Sequence, residues 1–235
     1  EFSKFVREGE DVESVTANVI ELGHGLGFAA DQSLQAAARM AQLGGILGAG
    51  MVETGTEVGI KFGLISGMET EAAMQRMINL QQQTDFMTEG LKDNMTQEER
   101  AQTIRANSMS VLDQLNTVEN RSAATMEQVT FVMNQFAAQA HLTGESIAYM
   151  AAMSATLIEA GEEQGKGGRA LRMIYARLGA NTSGAADALE ALGVAVKDAE
   201  GNLRPLSHIL KDLDAAMVGK TAGDKQDIAQ VVAGN

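Results

Sequence analysis

Glycines divide the helical pattern of this chain into short pieces, and this division constrains its fold most. Apolar residues recur with the period of an amphipathic helix through most of the sequence. The pattern stops at five glycines, and glycine ends helices because it adopts the left-handed conformation without strain. The five are Gly27, Gly67, Gly161, Gly179 and Gly193. We therefore predict an all-α protein of short helices, about 10 to 20 residues each, in place of one continuous rod.

Periodicity and capping residues predict where the helices lie. Thr96-Gln97-Glu98-Glu99 fits a capping box, in which the threonine and glutamate side chains accept hydrogen bonds from backbone amides of the first turn. Thr143 and Ser183 are predicted to cap two later helices. The predicted helices cover residues 11–22, 31–43, 52–65, 69–87, 96–117, 123–140, 143–160, 169–178, 183–192, 205–217 and 221–232.

Several segments interrupt this pattern. His24-Gly25-Leu26-Gly27 is predicted to break the first helix, and GEEQGKGG at 161–168 to form a polar loop. Three successive glutamines, Gln81 to Gln83, indicate a surface exposed to solvent. Alternating apolar residues on both sides of a turn at 198–202 predict a small β-hairpin near 194–204, with Pro205 at the entry of the next helix. We predict an N-terminal helical part, residues 1–95, and a C-terminal helical part with the hairpin, residues 96–235.

Composition narrows the function classes. The 235 residues carry 31 acidic and 18 basic side chains, a net charge of −13 that argues against a free-standing nucleic-acid binder. There is no cysteine, so disulfides and thiolate metal sites are excluded. Aromatic residues make up 4% and methionine occurs 14 times, which indicates soft packing of closely approaching helices. No signal peptide is recognisable, and the missing initiator Met indicates a fragment or a processed product.

No catalytic or cofactor constellation emerges from the residues. The three histidines, His24, His141 and His208, lie in separate segments without a second ligand at zinc spacing. Acidic clusters are accounted for by solvated helix starts and loops. The Gly161 to Lys166 spacing resembles a phosphate loop, but glycines stand where Ser or Thr is required. We predict no cofactor, no metal and no enzymatic activity.

Two segments are candidates for interaction with partners. Lys166, Arg169, Arg172 and Arg177 place four cations within twelve residues, and a solvated helix face is the simpler interpretation. The uncharged run at 40–52 contains Gly44-x-x-x-Gly48, a spacing shared by membrane helix contacts and by soluble helix junctions. At 13 residues it is too short to span a bilayer, which takes about 20. The candidate residues are Gly44, Gly45, Gly48, Gly50, Lys166, Gly168, Arg169 and Arg172.

The order of elements from residue 141 to 217 resembles the conserved domain of tailed-phage tail tape measure proteins of the TP901 type. The shared features are a helix ended by Gly161, a glycine followed by small-Leu-Arg at 168–172, a helix ending in Leu192-Gly193, and VKDAEGNLRPL at 196–206. The family often has Thr where this chain has Arg169. Upstream, LGFAADQSLQAAARMAQLGG is similar to the family's amino-terminal part, so the resemblance covers residues 15–234.

The resemblance implies a structural role in the virion. Such proteins occupy the lumen or tip of the tail, set tail length, scaffold the tail tube and are ejected before DNA. It implies that this chain is one domain of a longer polypeptide, present in the host cytoplasm during assembly. The implied partners are the protein itself as trimer or hexamer, the tail tube protein, tail tip or baseplate proteins and an assembly chaperone, with host membrane contact at ejection and no specific nucleic-acid binding.

Two other function classes remain open at the level of sequence. A membrane-active helical module that forms or aids a pore for genome delivery would use the run from Gly44, and liposome leakage would favour it. A peptidoglycan hydrolase would require a carboxylate or zinc constellation, which the residues do not supply.

Overall fold

Twelve α-helices and one isolated β-bridge form the described part of this computed structural model, which covers residues 12–42, 47, 51–181 and 184–233. The prediction of an all-α fold is confirmed. The helices are α1 (Val12–Gly25), α2 (Ala30–Gln42), α3 (Val52–Ser66), α4 (Thr70–Thr84), α5 (Gln97–Glu119), α6 (Met126–Met133), α7 (Ala137–Leu142), α8 (Ile147–Glu159), α9 (Gln164–Ala180), α10 (Ala185–Ala191), α11 (Leu206–Ala216) and α12 (Ala222–Ala233).

The chain divides into two compact units. The first unit comprises residues 1–121 and 125–127, and the second comprises residues 122–124 and 128–235. The described helices α1 to α5 therefore lie in the first unit, and α7 to α12 in the second. Whether the chain folds as parts 1–95 and 96–235 stays a prediction, because compactness alone does not show which residues fold together.

α3 is the central helix of the first unit and packs on α1, α2, α4 and α5. Glycines at four-residue intervals, Gly55, Gly59 and Gly63, lie along it where neighbouring chains come close. A Cβ at Gly55 would lie 2.7 Å from Sδ of Met40, and one at Gly59 would lie 2.7 Å from Cγ of Met74. A Cβ at either position would have to displace the Met40 or Met74 side chain, through which α2 and α4 pack on α3.

Gln81 closes the turn that follows α4. Its side chain is only 2% exposed, its Oε1 accepts a hydrogen bond from the Met87 amide at 2.6 Å, and its Nε2 donates to Thr88 Oγ1 at 3.1 Å. The predictions of an exposed Gln81 and of a helix reaching residue 87 are both wrong. The helix ends at Thr84, before Asp85 in the left-handed conformation with φ 51°, because Gln81 ties the turn back to the helix.

The helix α5 follows its sequence prediction closely. The Thr96 hydroxyl accepts from the Glu99 amide at 3.2 Å, and the Glu99 carboxylate accepts from the Thr96 amide at 2.7 Å, so the capping box is confirmed. The Thr96 amide and the Thr96 hydroxyl both donate to the Glu99 carboxylate, and these two hydrogen bonds lower the pKa of Glu99. The predicted apolar stripe is buried: Ile104, Ser108, Val111, Leu112 and Leu115.

The first helix extends further than predicted. α1 continues through His24 and Gly25, and the chain turns only at Gly27, where φ is 85°. The Phe28 amide donates to the Gly23 carbonyl at 2.8 Å, which satisfies an acceptor at the helix end. A Cβ at Gly23 would lie 1.7 Å from Ser33 Oγ, so α1 and α2 pack closely at this residue.

The predicted helix over 123–140 is interrupted. α6 ends at Met133, and α7 begins at Ala137 after a turn in which the Phe136 amide donates to the Met133 carbonyl at 3.0 Å. The predicted stripe is nevertheless fully buried: Met126, Val129, Met133, Phe136, Ala137 and Ala140. Burial was thus predicted correctly and continuity was not, because neither glycine nor proline marks the turn.

The prediction that Thr143 caps the next helix is wrong. Its hydroxyl donates to the Ala140 carbonyl at 2.8 Å, at the end of α7. Ser146 caps α8 instead, accepting from the Tyr149 amide at 3.2 Å. The predicted cap Ser183 lies outside the described residues.

The hairpin predicted near 194–204 is reduced to one antiparallel bridge between Lys197 and Leu203. Asp198 holds the turn, since its Oδ1 accepts from the Asn202 amide at 2.7 Å and from the Glu200 amide at 3.1 Å. These bonds, foremost the one from Asn202, lower the pKa of Asp198. Pro205 precedes α11 directly, as predicted, and leaves no room for further strand pairs.

Four of the five predicted glycine stops are confirmed. Gly67, Gly161 and Gly193 adopt left-handed φ angles of 67°, 81° and 80°, as Gly27 does. Gly179 is the exception, because α9 continues through it to Ala180 and turns at Asn181, where φ is 48°. Asn is the usual alternative to glycine at such a position.

Candidate functional site

The glycine-rich segment predicted as a loop at 161–168 begins a helix. α9 starts at Gln164, so Gly165, Gly167 and Gly168 lie in its first turns. The Gly167 amide donates to the Glu163 carbonyl at 3.0 Å, which is the helical hydrogen bond. The loop prediction is therefore wrong, and the candidate residues Lys166, Gly168, Arg169 and Arg172 lie on a single helix.

Gly168 lets α9 approach the turn between α6 and α7. A Cβ there would lie 2.8 Å from the Val132 carbonyl oxygen and 2.9 Å from Cβ of Gln135. About two turns further along, the Tyr175 ring stacks on Phe136 with centroids 6.3 Å apart and planes 13° apart. Glycine and tyrosine together fix α9 against this turn.

The outward side of α9 carries the predicted cations. Lys166, Arg169 and Arg172 are all exposed, and we call these three residues the cationic face of α9. The opposite side of the helix is buried through Leu171, Tyr175 and Leu178. The structure thus brings the three cations together on one exposed helix, as the solvated-face interpretation predicts.

Within the cationic face only Lys166 has an ionic partner among the described residues. Its Nζ lies 3.0 Å from Oε2 of Glu163, and both side chains are largely exposed. Such a pair contributes little to stability, because water screens it and two flexible side chains must be ordered. Arg169 and Arg172 form no ion pair in the part of the chain that the structure describes.

The second group of candidates, Gly44, Gly45, Gly48 and Gly50, lies outside the described residues. Leu47, which is described, is buried, and its Cδ1 lies 2.8 Å from the position that a Cβ at Gly55 would take.

A buried carboxylate missed by sequence reasoning lies near α9. Glu145 is 6% exposed, and its Oε2 accepts from the Ser207 amide at 2.9 Å. Ser207 is in the first turn of α11, whose preceding residue, Pro205, supplies no side-chain cap. Glu145 therefore caps α11 from 62 residues away, and only the uncapped helix start after Pro205 hinted at such a partner.

Two tyrosines surround this carboxylate. Burial, followed by the charge of Glu145, raises the pKa of the Tyr175 hydroxyl strongly, and the same two causes raise the pKa of Tyr149. Both phenols therefore stay protonated at neutral pH. The arrangement stabilises the start of α11 and the stack of Tyr175 on Phe136. The Glu145 carboxylate already accepts a hydrogen bond from the Ser207 amide.

The described residues contain no group of three or more His, Asp or Glu side chains positioned to hold a metal ion. None of their helices combines the length and the apolar character required to cross a membrane.

Comparison with known proteins decides the family. The model of a family described as phage-related minor tail protein matches residues 16–234. The chain belongs to this family. It is also 34% identical, over 114 residues, to a probable tape measure protein of Escherichia phage P2. The alignment covers 48% of this chain and 14% of that relative, so the chain spans only a small part of its length. No solved structure matches.

Membership in the minor tail protein family makes this chain a phage tail protein and a component of the virion tail. The predicted resemblance to tail tape measure proteins is confirmed by both matches. Its TP901-type character stays a prediction.

Proposed function

We propose that this chain is a non-enzymatic segment of a tail tape measure protein. It acts in the lumen or tip of the tail, scaffolds the tail tube, contributes to tail length and leaves the virion before DNA. The observation that carries the proposal is the family match over residues 16–234, together with the similarity to a probable tape measure protein. The use of Glu145 as a helix cap is consistent with a role in packing.

The short helices support the inference that the long helical rod that sets tail length lies elsewhere in the parent protein. The longest described helix, α5, has 23 residues and so extends about 35 Å. Left-handed residues such as Gly67, Gly161 and Gly193 end the helices and prevent a continuous rod. We infer that this segment supplies folded units to a longer tape measure chain.

The proposed partners are the protein itself as trimer or hexamer, the tail tube protein, tail tip or baseplate proteins and an assembly chaperone that acts in the host cytoplasm. The surfaces proposed for them are the cationic face of α9 with Gly168, and the segment from Gly44 to Gly50. Exposure of the three cations supports the first surface.

Charge supports the ejection step. A chain with net charge −13 repels the phosphate backbone, so it would not adhere to the DNA that follows it through the tube. Tight binding of DNA at physiological salt would contradict this part of the proposal.

An in-frame duplication of the codons for residues 12–233 in the phage tests the proposal through tail length. If the duplicated units stay folded, tails should lengthen by roughly 30 to 40 Å per unit. If the helices are laid end to end, the increase should approach about 330 Å. Electron microscopy of purified virions measures the change, and a synonymously recoded gene is the control. Tails of unchanged length on virions that contain the duplicated protein would contradict a role in setting length.

A further inference from the structure

Charge is divided unevenly between the two units. The first unit has nineteen acidic and nine basic residues, a net charge of −10. The second has twelve acidic and nine basic residues, a net charge of −3. Within the second unit, α9 carries four cations, Lys166, Arg169, Arg172 and Arg177, and no acidic residue. The chain thus combines a strongly acidic unit with one cationic helix.

Three of the four cations of α9 gain nothing from the helix dipole, whereas Arg177, in the last turn, does. Lys166 lies in the first turn, where the positive end of the dipole disfavours a cation, and Arg169 and Arg172 lie beyond that turn. The first turn has no acidic residue to offset Lys166, and the nearest ionic partner, Glu163, is exposed. Arg169 and Arg172 form no ion pair within the described residues. The fold itself gains nothing from these positions, which points to a partner outside the unit.

The surroundings of the cationic face favour a protein as that partner. Met173 lies beside Arg169 and Arg172 with 48% of its side chain exposed, and Ala176 is exposed one turn further on. Arginine and methionine are enriched in protein interfaces. Because the opposite side of α9 is buried, the helix backbone that carries the cationic face is held in place before binding, and only the side chains must be ordered.

We propose that the cationic face of α9 binds the first unit of a second copy of this chain. Among the described residues of that unit, an acidic stretch runs from residue 85 to 99 and contains five carboxylates and one lysine. Among them, Asp85, Glu89, Asp93 and Glu98 are exposed. This stretch is the binding partner that the charges favour. The proposal stands apart from the role in tail length, since it concerns association of the chain in solution.

This contact joins two different surfaces. Two copies that make it once leave one surface of each kind free, so that association continues head to tail, whereas two copies that make it reciprocally close a symmetric dimer. Since exposed charges dominate the contact, the association weakens at high salt. This salt dependence distinguishes it from a contact between identical apolar faces.

Sedimentation velocity of the full chain over a concentration series, at low and high salt, tests the proposal. We expect self-association at low salt that is lost at high salt and weakened at least tenfold by Arg169→Glu with Arg172→Glu. The control, Lys211→Glu with Lys220→Glu, makes the same change of net charge on exposed residues elsewhere in the second unit. It should associate nearly as the wild type does. Melting monitored by circular dichroism should show that both variants are folded. The α9 variant should keep its helix, because acidic residues near the start of a helix favour it.

A reciprocal variant identifies the acceptor. Asp93→Lys with Glu98→Lys should abolish self-association, and a mixture of this variant with the α9 variant should associate again. A wild type that stays monomeric, equal loss in the control, or a mixture that does not associate would overturn the proposal. Binding of a DNA oligonucleotide by α9 in place of self-association would also overturn it.

Discussion

At the scale of single residues, the least expected feature is a glutamine that works as a structural residue. Replacing Gln81 by Ala should leave the buried Met87 amide without an acceptor and destabilise the protein by about 1 to 3 kcal/mol. Gln82→Ala is the matched control, since that side chain is exposed on the same helix. Urea unfolding of both variants measures the difference, and equal stability of the two would contradict the role assigned to Gln81.

The pKa of Glu57 predicts how the stability of the folded protein depends on pH. Its side chain is 14% exposed and lies 2.5 Å from Lys61 Nζ and 2.7 Å from Arg105 Nε. Burial alone would raise the pKa of Glu57, but the hydrogen bonds and charges of Lys61 and Arg105 outweigh burial and lower it. A carboxylate with a lowered pKa in the folded state stabilises the protein above its unfolded pKa, and this contribution disappears as pH falls through the folded pKa.

The variant Glu57→Gln isolates this contribution. We expect it to be about 1 to 2 kcal/mol less stable than the wild type at neutral pH, because it loses two charge-assisted hydrogen bonds. The difference should shrink below the ordinary pKa of glutamate and vanish below the folded pKa. Urea unfolding across this range measures it, and a difference that stays constant with pH would show that the ion pairs are not its source.

At the scale of elements, two of the three glycines in the first turns of α9, Gly165 and Gly168, should respond in opposite ways to alanine. Gly168→Ala should destabilise the protein by about 1 to 3 kcal/mol, because the added Cβ meets the Val132 carbonyl oxygen, which cannot move without its helix. At Gly165 the nearest atoms are those of the flexible Arg169 guanidinium, at 3.5 Å or more. Gly165→Ala should therefore be neutral or stabilise α9 by up to about 1 kcal/mol. Thermal melting of the two variants tests this, and the same sign for both would refute it.

The contrast between these glycines shows how much the sequence could predict. The spacing of apolar residues predicted nearly all the described helices, because this spacing reflects which side of a helix is buried. Four residues were enough to predict the capping box of Thr96 and Glu99. A glycine is locally ambiguous. Gly161 ends a helix while Gly168, seven residues later, continues one, and only the approach of Val132 accounts for the second.

The candidate site was predictable to a similar degree. The clustering of Lys166, Arg169 and Arg172 predicted an exposed cationic face, but the sequence placed Lys166 in a loop and not in α9. The cap of α11 by Glu145 joins residues 62 apart, and no local pattern predicts such a pair. The turn between α6 and α7 was also hidden, since the apolar stripe runs through it to Phe136 without interruption.

At the scale of the whole molecule, the extent of the first unit can be tested by amide hydrogen exchange. Gly59→Val places a branched side chain where even a Cβ lies 2.7 Å from Met74 Cγ, in the central helix of that unit. Exchange should accelerate in α1 to α5, since α5 packs on α3, while α8 to α11 keep the protection of the wild type. Unchanged protection of α5 would instead support a boundary at residue 95, and loss of protection throughout would show one cooperative unit.

The main helix contacts in the first unit join helices that are one or two positions apart along the chain. Folding such a unit closes only short loops, and chains with local contacts fold quickly. If the first unit folds by itself, the core around α3 can form as soon as α5 has left the ribosome. A polypeptide made of such units would be exposed as an unfolded chain for only one unit at a time, which would limit aggregation during its synthesis.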